Sequence, residues 1–458
     1  MTDEVKVLAL SGMLGSGFLE TSYKRALSWD PDFIGCDAGS TDGGPTSLGN
    51  AECSYSKAAV KRDLRLALLG AREKRIPLLI GSAGTAGGDI NLSWTVEIAK
   101  EIAREEGLHF KLAIIHSEQK KDYLKQKLAQ GKIRPLKPAP PFDEKVIDKS
   151  EHIVGMMGAE PFIRALEAGA EVVIAGRSSD TSIYAAIPIQ RGFSPGPVWH
   201  AAKILECGAA CVAQRTRGDC MFARIGQGYF VMDPPNPEYR CTPVSVAAHT
   251  FYETGSPIHL YEPSGMVDTS TAVYEAESDR VVRVTGSGFV PTKTYTIKLE
   301  GAEKVGYQAI CIAGVRDPVL IRQIDSWLDV LRDKVKQRVG EMFGEKAANG
   351  GYIFNVRIYG RNGVMGNREP LKDRVGHELA LVMEATAPTQ EMATGIMGMA
   401  GHAGLHQAIP QWKGFTSNFA FPYSPKQIAR GPVFRFNVNH LVEPADPYEM
   451  FPMEMMKI

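Results

Sequence analysis

Short apolar runs alternate with glycine-rich turns and amphipathic stretches through the first half of the chain. The runs with the length and apolar content of buried strands are VKVLAL (5–10), FIGCD (33–37), IPLLIGS (76–82), KLAIIHS (111–117), HIVG (152–155) and EVVIAG (171–176). Between them, residues 58–74 and 95–107 place apolar side chains at helical spacing opposite charged ones. Strands that alternate with such helices indicate βαβ units and a parallel sheet.

The pattern changes after a further helical stretch at residues 198–214. The shorter β-like pieces of the second half are YFVMD, VVRVTG, TYTIKLEG and GYIFNVRIYG, and one long amphipathic helix is predicted at 317–343. A chain of 458 residues is also long for one core, because compact domains usually divide beyond roughly 250–300 residues. We therefore predict a doubly wound, mostly parallel α/β domain over residues 1–215 and an α+β domain over 216–458.

Charge and cysteine content narrow the class of protein. Lys plus Arg equals Asp plus Glu at 52 each, so no net field favours nucleic acid or an anionic membrane. No apolar run approaches the ~20 residues that a bilayer requires, and the start lacks the charged and apolar regions of a signal peptide. The seven cysteines form an odd set without C-x-x-C pairs, which favours thiols in a reducing compartment. We expect a cytoplasmic protein that binds neither nucleic acid nor membranes.

Three polar loops, at residues 36–49, 81–89 and 176–182, each follow a predicted strand. Glycine permits close backbone approach, while Ser, Thr and the N-terminus of a following helix provide donors for an anion. Because the carboxyl ends of parallel strands converge, we expect the loops to form one pocket for a small acidic ligand. None contains G-K-[ST], and GMLGSG (12–17) is not G-x-G-x-x-G, so no nucleotide cofactor is expected. The alternative is that these residues only make tight turns and helix caps.

The candidate binding residues come from these loops and from the helical stretch after them. They are Ser40, Thr41, Asp42, Ser82, Gly84, Thr85, Arg177, Ser178, Ser179 and Cys207. Arg177 directly follows the predicted strand at 171–176, so its guanidinium can bind a carboxylate or phosphate through two hydrogen bonds. A salt bridge from Arg177 to Asp180 is the alternative. For Cys207 the alternative to a ligand contact is plain packing.

Three carboxylates are candidates for moving protons. Asp37 ends a strand that reads as buried, where desolvation raises a carboxyl pKa enough for acid or base catalysis. Glu206 is the second candidate, as a proton carrier in the helical stretch KILECGAAC. Asp180 is the third, and its alternative role is to cap the helix that follows.

Metal binding has weaker support in the sequence. A divalent cation bridging Asp37, Asp42 or Asp89 is conceivable, but these residues lack a ligand spacing. His402 and His406 lie four residues apart, which places two imidazoles on one helix face. No nearby acid or cysteine completes a zinc set, so we expect a structural role for both histidines and no cofactor for the protein.

The order of several segments resembles the acyclic terpene utilisation A (AtuA) family over roughly residues 5–440. The matching segments are the GCDAGSTDGG loop, GRSSDTSIYAAIPIQRGF (176–193), LECGA (205–209) and PVSVAAHTFYETGSP (243–257). The resemblance implies catabolism of an organic acid or acyl-CoA thioester. It supports, as pocket residues, Gly176, Arg177, Asp180, Glu206, Cys207 and Gly208.

The resemblance also implies a partner. Some family members carry, or are encoded beside, a small ferredoxin-like module, so a separate small partner subunit is expected. The loop at residues 36–49 departs from the version found with terpene catabolism. A divergent branch that uses another acid therefore stays open.

Together these features predict a homo-oligomeric lyase, hydratase or isomerase that uses acid–base chemistry on a small carboxylic acid or acyl-CoA thioester. The alternative is a non-catalytic ligand-binding or scaffold subunit that works with the small partner. A serine hydrolase is disfavoured because the chain lacks a G-x-S-x-G elbow.

Overall fold

The computed structural model describes residues 4–411 and 418–458. The chain forms two compact units, one made of residues up to 303 together with 436–458 and the other of residues 304–435. The change in sequence pattern instead placed a domain boundary after residue 215. The observed boundary is later because the strands that follow residue 215 join the sheet of the first unit.

The strands of the described residues are numbered here in chain order. They are Glu4–Ala9 (β1), Phe33–Asp37 (β2), Leu78–Gly81 (β3), Lys111–Ile115 (β4), Ile133–Pro135 (β5), Ser150–Met156 (β6), Val172–Ala175 (β7), Met221–Gly226 (β8), Tyr229–Asp233 (β9), His259–Glu262 (β10), Gly265–Asp268 (β11), Val273–Ala276 (β12), Val282–Thr285 (β13), Gly288–Pro291 (β14), Ile297–Val315 (β15), Ile353–Tyr359 (β16), Leu379–Ala387 (β17), Gln427–Val442 (β18) and Met453–Lys457 (β19).

The helices are numbered in the same way. They are Glu20–Leu27 (α1), Thr46–Gly49 (α2), Lys57–Lys74 (α3), Asp89–Glu106 (α4), Lys121–Ala129 (α5), Glu144–Lys149 (α6), Glu160–Glu167 (α7), Ser182–Gln190 (α8), Pro195–Leu205 (α9), Pro243–Thr250 (α10), Pro318–Arg322 (α11), Ile324–Phe343 (α12), Glu345–Ala348 (α13) and Gln390–His406 (α14).

One large mixed sheet organises the first unit. Its strand order is β12-β13-β9-β8-β1-β2-β3-β7-β4-β19. The five central strands, β1, β2, β3, β7 and β4, are parallel. Antiparallel strands extend the sheet at both sides, with β8 paired to β1 and β19 paired to β4. The predicted mostly parallel N-terminal sheet is confirmed.

Helices cover both faces of this sheet. Along β2, Phe33 contributes to the cluster that contains residues of α7, α8 and α9, whereas Ile34 contributes to the cluster of α1, α3 and α4. Successive side chains of a strand point to opposite faces, so a strand buried on both sides must be apolar throughout. This requirement explains why the central strands read as continuous apolar runs, and it confirms the predicted doubly wound arrangement.

The predicted helix at 198–214 ends early, at Leu205, where α9 stops. Gly208 adopts a left-handed backbone with φ of 57°, which an α-helix cannot accommodate. A Cβ at this position would lie 2.9 Å from the Cα of Ser11, in the loop after β1. The close approach of these two loops turns the chain after Glu206 and holds that residue at the carboxyl edge of the sheet.

The remaining strands of the first unit form smaller pairings. β10, β11 and β14 make a three-stranded antiparallel sheet, and β6 pairs with the beginning of β15. In the second unit, β17 lies between β16 and the later part of β15, antiparallel to both. These antiparallel sheets confirm the predicted α+β character of the C-terminal half. The predicted long helix there is two helices, α11 and α12, because Gln323 between them leaves the helical region.

None of the helices within residues 4–411 and 418–458 combines the length and the apolar content needed to cross a bilayer.

Replacing Gly70 by Ala should destabilise the protein although alanine is the better helix former. Gly70 lies inside α3, and a Cβ there would come within 2.1 Å of the Tyr23 hydroxyl oxygen. The overlap should cost about 1–3 kcal/mol of unfolding free energy and so exceed the ~1 kcal/mol gain in helix propensity. Urea unfolding of Gly70→Ala measures the balance. In a Tyr23→Phe background, which removes the oxygen, the penalty should shrink, and an unchanged penalty would contradict the steric cause.

Candidate functional site

The three polar loops predicted from the sequence contact one another at the carboxyl edge of the sheet. The backbone N–H of Thr85 donates to the carbonyl of Ala38 at 3.2 Å, which joins the second loop to the first. The backbone N–H of Arg177 donates to the carbonyl of Gly87 at 3.2 Å, which joins the third loop to the second. A Cβ at Gly87 would lie 2.1 Å from the Arg177 nitrogen, so only glycine permits this approach.

A cleft of about 800 Å³ opens beside these loops in the first unit. Besides the loops, its walls come from the end of α9, from β10 and from the start of β15. The predicted site residues that line it are Asp42, Arg177, Ser179, Asp180 and Glu206. The predicted site residues outside its lining are Asp37, Ser40, Thr41, Ser82, Gly84, Thr85, Ser178 and Cys207.

Arg177 is the central cation of the site and is only 4% exposed. Its Nε donates to Glu300 Oε2 at 2.8 Å, and its Nη1 donates to Asp180 Oδ1 at 3.1 Å. The same Nη1 lies 3.2 Å from Ser82 Oγ. Although burial lowers its pKa, Glu300 and Asp180 raise the pKa of Arg177 overall. The salt bridge to Asp180, the alternative role considered for Arg177, is therefore present, and a second carboxylate shares the guanidinium.

Glu300, on β15, is the buried partner of two cations. Lys298 donates to its Oε1 at 2.7 Å while Arg177 binds its other oxygen. Burial alone raises the pKa of Glu300, but Arg177 and Lys298 lower it to about 2. Glu300 is thus a permanent anion whose role is to hold Arg177 in place.

Glu206 and Lys203 form an ion pair at the end of α9. Both side chains are largely buried, and the Lys203 ammonium donates to Glu206 Oε1. Burial raises the pKa of Glu206 to about 8, with Asp180 and Glu262 adding to the effect and Lys203 opposing it. A carboxyl group in this range can both accept and donate a proton near neutral pH.

Glu262 ends β10 and faces the same cleft. It accepts hydrogen bonds from the hydroxyls of Ser179 at 2.7 Å and Thr181 at 2.6 Å. Burial raises the pKa of Glu262 to about 7, against the lowering effect of these two hydroxyls. Ser179 therefore holds a protein carboxyl group and does not present its hydroxyl freely to the cleft.

The charge of Asp180, which lines the cleft, affects the pKa of Asp37, which is buried outside the lining. Asp37 is 4% exposed, and one of its oxygens accepts from the N–H of Gly39 at 3.1 Å. Burial and the charge of Asp180 raise the pKa of Asp37 well above its ordinary value, although Arg177 opposes this. Burial also raises the pKa of Asp180, against the lowering effect of Arg177.

Other predicted residues have structural surroundings. Thr85 Oγ1 accepts from the N–H of Ser54, so its hydroxyl holds the turn together. Ser40 donates to the exposed carboxylate of Asp42 at 3.0 Å, and the two form a local turn. The backbone of Cys207 packs against Gly12, since a Cβ added at Gly12 would lie 3.2 Å from the Cα of Cys207.

The predicted metal candidates do not converge. Asp89, at the start of α4, accepts a hydrogen bond from His116 at 2.8 Å. The rings of His402 and His406 lie 5.0 Å apart on α14 in the second unit. Within residues 4–411 and 418–458, no group of three or more His, Cys, Asp or Glu side chains is placed to hold a metal ion.

The charged residues of the site that were not predicted from the sequence include Lys203, Glu262 and Lys298, which line the cleft, and Glu300, which binds Arg177 outside its lining. Lys203 had a local signal, since it is a lone cation three residues before Glu206 in an otherwise apolar helix. The other three lie on strands far along the chain, and nothing in their neighbouring residues distinguishes them from surface charges.

Replacing Arg177 by Ala should destabilise the fold strongly, because it leaves Glu300 buried without its main partner. Removing one member of a buried ion pair typically costs about 3–5 kcal/mol of unfolding free energy. Arg191→Ala is the matched control, since Arg191 pairs with Asp32 at 2.6 Å but is partly exposed, and its loss should cost about 1 kcal/mol or less. Urea unfolding compares the two variants. Equal losses of unfolding free energy in the two variants would contradict a stabilising role for the buried ion pair of Arg177 and Glu300.

Comparison with known proteins gives one positive finding. The sequence model described as "Acyclic terpene utilisation family protein AtuA" matches residues 44–214 and 223–433. No curated protein and no solved structure gives a significant match. The matched ranges contain Arg177, Asp180 and Glu206, whereas Asp37 precedes them. Because the match spans most of the chain, this protein belongs to the AtuA family of acyclic terpene utilisation proteins.

Proposed function

We propose that this protein is an enzyme of acyclic terpene catabolism that acts on a small carboxylic acid or acyl-CoA thioester by acid–base chemistry, as a hydro-lyase or isomerase. Family membership supports the catabolic role. The observation that carries the chemistry is the gathering of Asp180, Glu206 and Glu262, three carboxyl groups with raised pKa values, around one cleft. Perturbed groups converging in a cleft are typical of proton-transfer sites.

Two lysines give the cleft a means of holding an acidic or carbonyl oxygen. Lys203 donates to Glu206 and Lys298 donates to Glu300, and both lysines line the cleft. An ammonium group has three donors, so each lysine has capacity beyond the bond to its carboxylate. A substrate carboxylate or thioester oxygen placed between them would gain charge-assisted hydrogen bonds that strengthen as negative charge develops.

The proton-transfer roles follow from the positions of the carboxyl groups. Glu206, with a pKa of about 8, is suited to remove a proton from the carbon next to the substrate carbonyl. Asp180 lines the same cleft from the third polar loop and is suited to deliver a proton to a leaving hydroxyl or to a second carbon. Asp37 lies behind them as a proton reserve rather than as a group that touches substrate.

The rate of proton removal should rise with pH through about 8. Glu206 is protonated below its pKa and becomes a base above it, so kcat in the dehydration or isomerisation direction increases as pH rises. Glu206→Gln should lose this ascending limb and lower kcat by roughly 10²-fold or more. A pH profile of kcat measures both effects. Glu253→Gln, at the exposed rim of the cleft, should keep the wild-type profile, and a normal profile in Glu206→Gln would remove Glu206 from the reaction.

A substrate panel tests the function itself. The purified protein is given acyl-CoA thioesters and dicarboxylates, each as the 3-hydroxy and the 2,3-unsaturated form, and products are followed by mass spectrometry. Interconversion of the two forms, or migration of the double bond, supports the proposal. Binding of these compounds without any conversion would overturn it and would favour the non-catalytic ligand-binding subunit.

A further inference from the structure

Three polar side-chain atoms at the carboxyl edge of the sheet are fully buried. They are Asp37 Oδ1, Ser178 Oγ and Tyr184 Oη, and none of them has a hydrogen-bond partner among the described residues. Buried polar groups in folded proteins are nearly always paired, with protein groups or with ordered water, because an unpaired one is costly. One hydrogen-bond partner shared by the three atoms would satisfy all of them.

The sheet places these atoms on one face. Asp37 is paired with Gly81 across β2 and β3, and a Cβ at Gly81 would lie 2.4 Å from Ser178 Oγ. Gly35 lies two residues before Asp37, and a Cβ there would lie 2.6 Å from the ring of Tyr184. Residues two apart on a strand share a face, so the ring of Tyr184 and the carboxyl of Asp37 lie on the same side of β2.

Glycine at positions 35 and 81 is what makes room for this arrangement. Any side chain at Gly35 would occupy the space of the Tyr184 ring, and any side chain at Gly81 would occupy that of Ser178. Both glycines have ordinary backbone angles, so their small size rather than their flexibility is required here. The two positions admit the Tyr184 ring and the Ser178 hydroxyl beside Asp37, and the region among these three side chains, under the start of α8, is called the chamber here.

We infer that Asp37, Ser178 and Tyr184 hold one internal water molecule, and that this water connects Asp37 with the carboxyl groups of the cleft. A buried water typically makes two to four hydrogen bonds, and a carboxyl with two hydroxyls supplies three partners of suitable kind. The chamber adjoins the cleft through Arg177, which bonds to Asp180 and to the carbonyl of Ser178.

The chamber gives Tyr184 and Ser178 a positioning role, a step that rests on the proposed function. When Asp180 has delivered its proton to substrate, the water passes one of its protons to Asp180 and accepts one from Asp37. The water keeps its composition, Asp180 regains its proton, and Asp37 becomes the anion. The proton taken up by Glu206 leaves to solvent, and a solvent proton returns to Asp37 through Asp180 and the same water, so the cycle balances.

Thermal unfolding of Tyr184→Phe tests the water site without any assay of activity. If a water bonds to the hydroxyl, Tyr184→Phe should lower Tm by about 2 °C. Tyr23→Phe, in the same compact unit of the chain, is the reference for losing one hydrogen bond of a tyrosine hydroxyl. The Tyr23 hydroxyl donates to the Leu66 carbonyl at 2.8 Å. Ser178→Ala should show a similar loss. Unchanged or higher Tm values in both chamber variants would overturn the inference, since deleting an unpaired hydroxyl is not costly.

A crystal structure at high resolution supplies the second readout. The wild-type protein should show a water peak within hydrogen-bond distance of all three atoms, and its absence would overturn the site. In an active preparation, Tyr184→Phe should lower kcat by roughly tenfold while KM changes less than twofold, whereas equal kcat values would reject the relay. If the wild-type protein converts no substrate in the panel, the proposed function is rejected. The water peak and the Tm values still test whether the three side chains hold a water.

Discussion

The buried ion pair between Arg177 and Glu300 is the interaction on which the site depends. A guanidinium that is taken out of water must be fully paired, because an isolated buried charge is several kcal/mol too costly. Its partners come from three places: Glu300 on β15, Ser82 in the second polar loop and Asp180 in the third. Satisfying one cation therefore draws these segments together at the carboxyl edge of the sheet.

This arrangement also separates the protonation states of the nearby carboxyl groups. Glu300 receives two cations, which lower its pKa to about 2, while burial raises the pKa of Glu206 to about 8 despite its lysine partner. Burial and the charge of Asp180 raise the pKa of Asp37, while Arg177 lowers it. A permanent anion thus supports the cation, and titrating groups are left around the cleft. Such divergence of pKa values within one site is what acid–base catalysis requires.

Much of the first unit was predictable because its signals are local. The apolar runs at 33–37 and 171–176 fall on β2 and β7, since a strand covered on both faces must be apolar along its whole length. The meeting of the three polar loops also followed from the sheet, because parallel strands bring their carboxyl ends to one edge. The boundary after residue 215 differed from the observed units, since composition does not reveal that β8 pairs with β1.

The sequence by itself determined the parallel sheet, its two helical layers and the edge where polar loops collect, because these depend on the periodicity of neighbouring residues. It also marked Arg177, Asp180 and Glu206 as chemically capable side chains. Only the tertiary structure decided their partners: Glu300 and Glu262 arrive from strands more than 50 residues away along the chain, and Ser179 and Thr181 are committed to Glu262. Burial and the field of distant charges set the pKa of a carboxyl group, and both are properties of the folded chain.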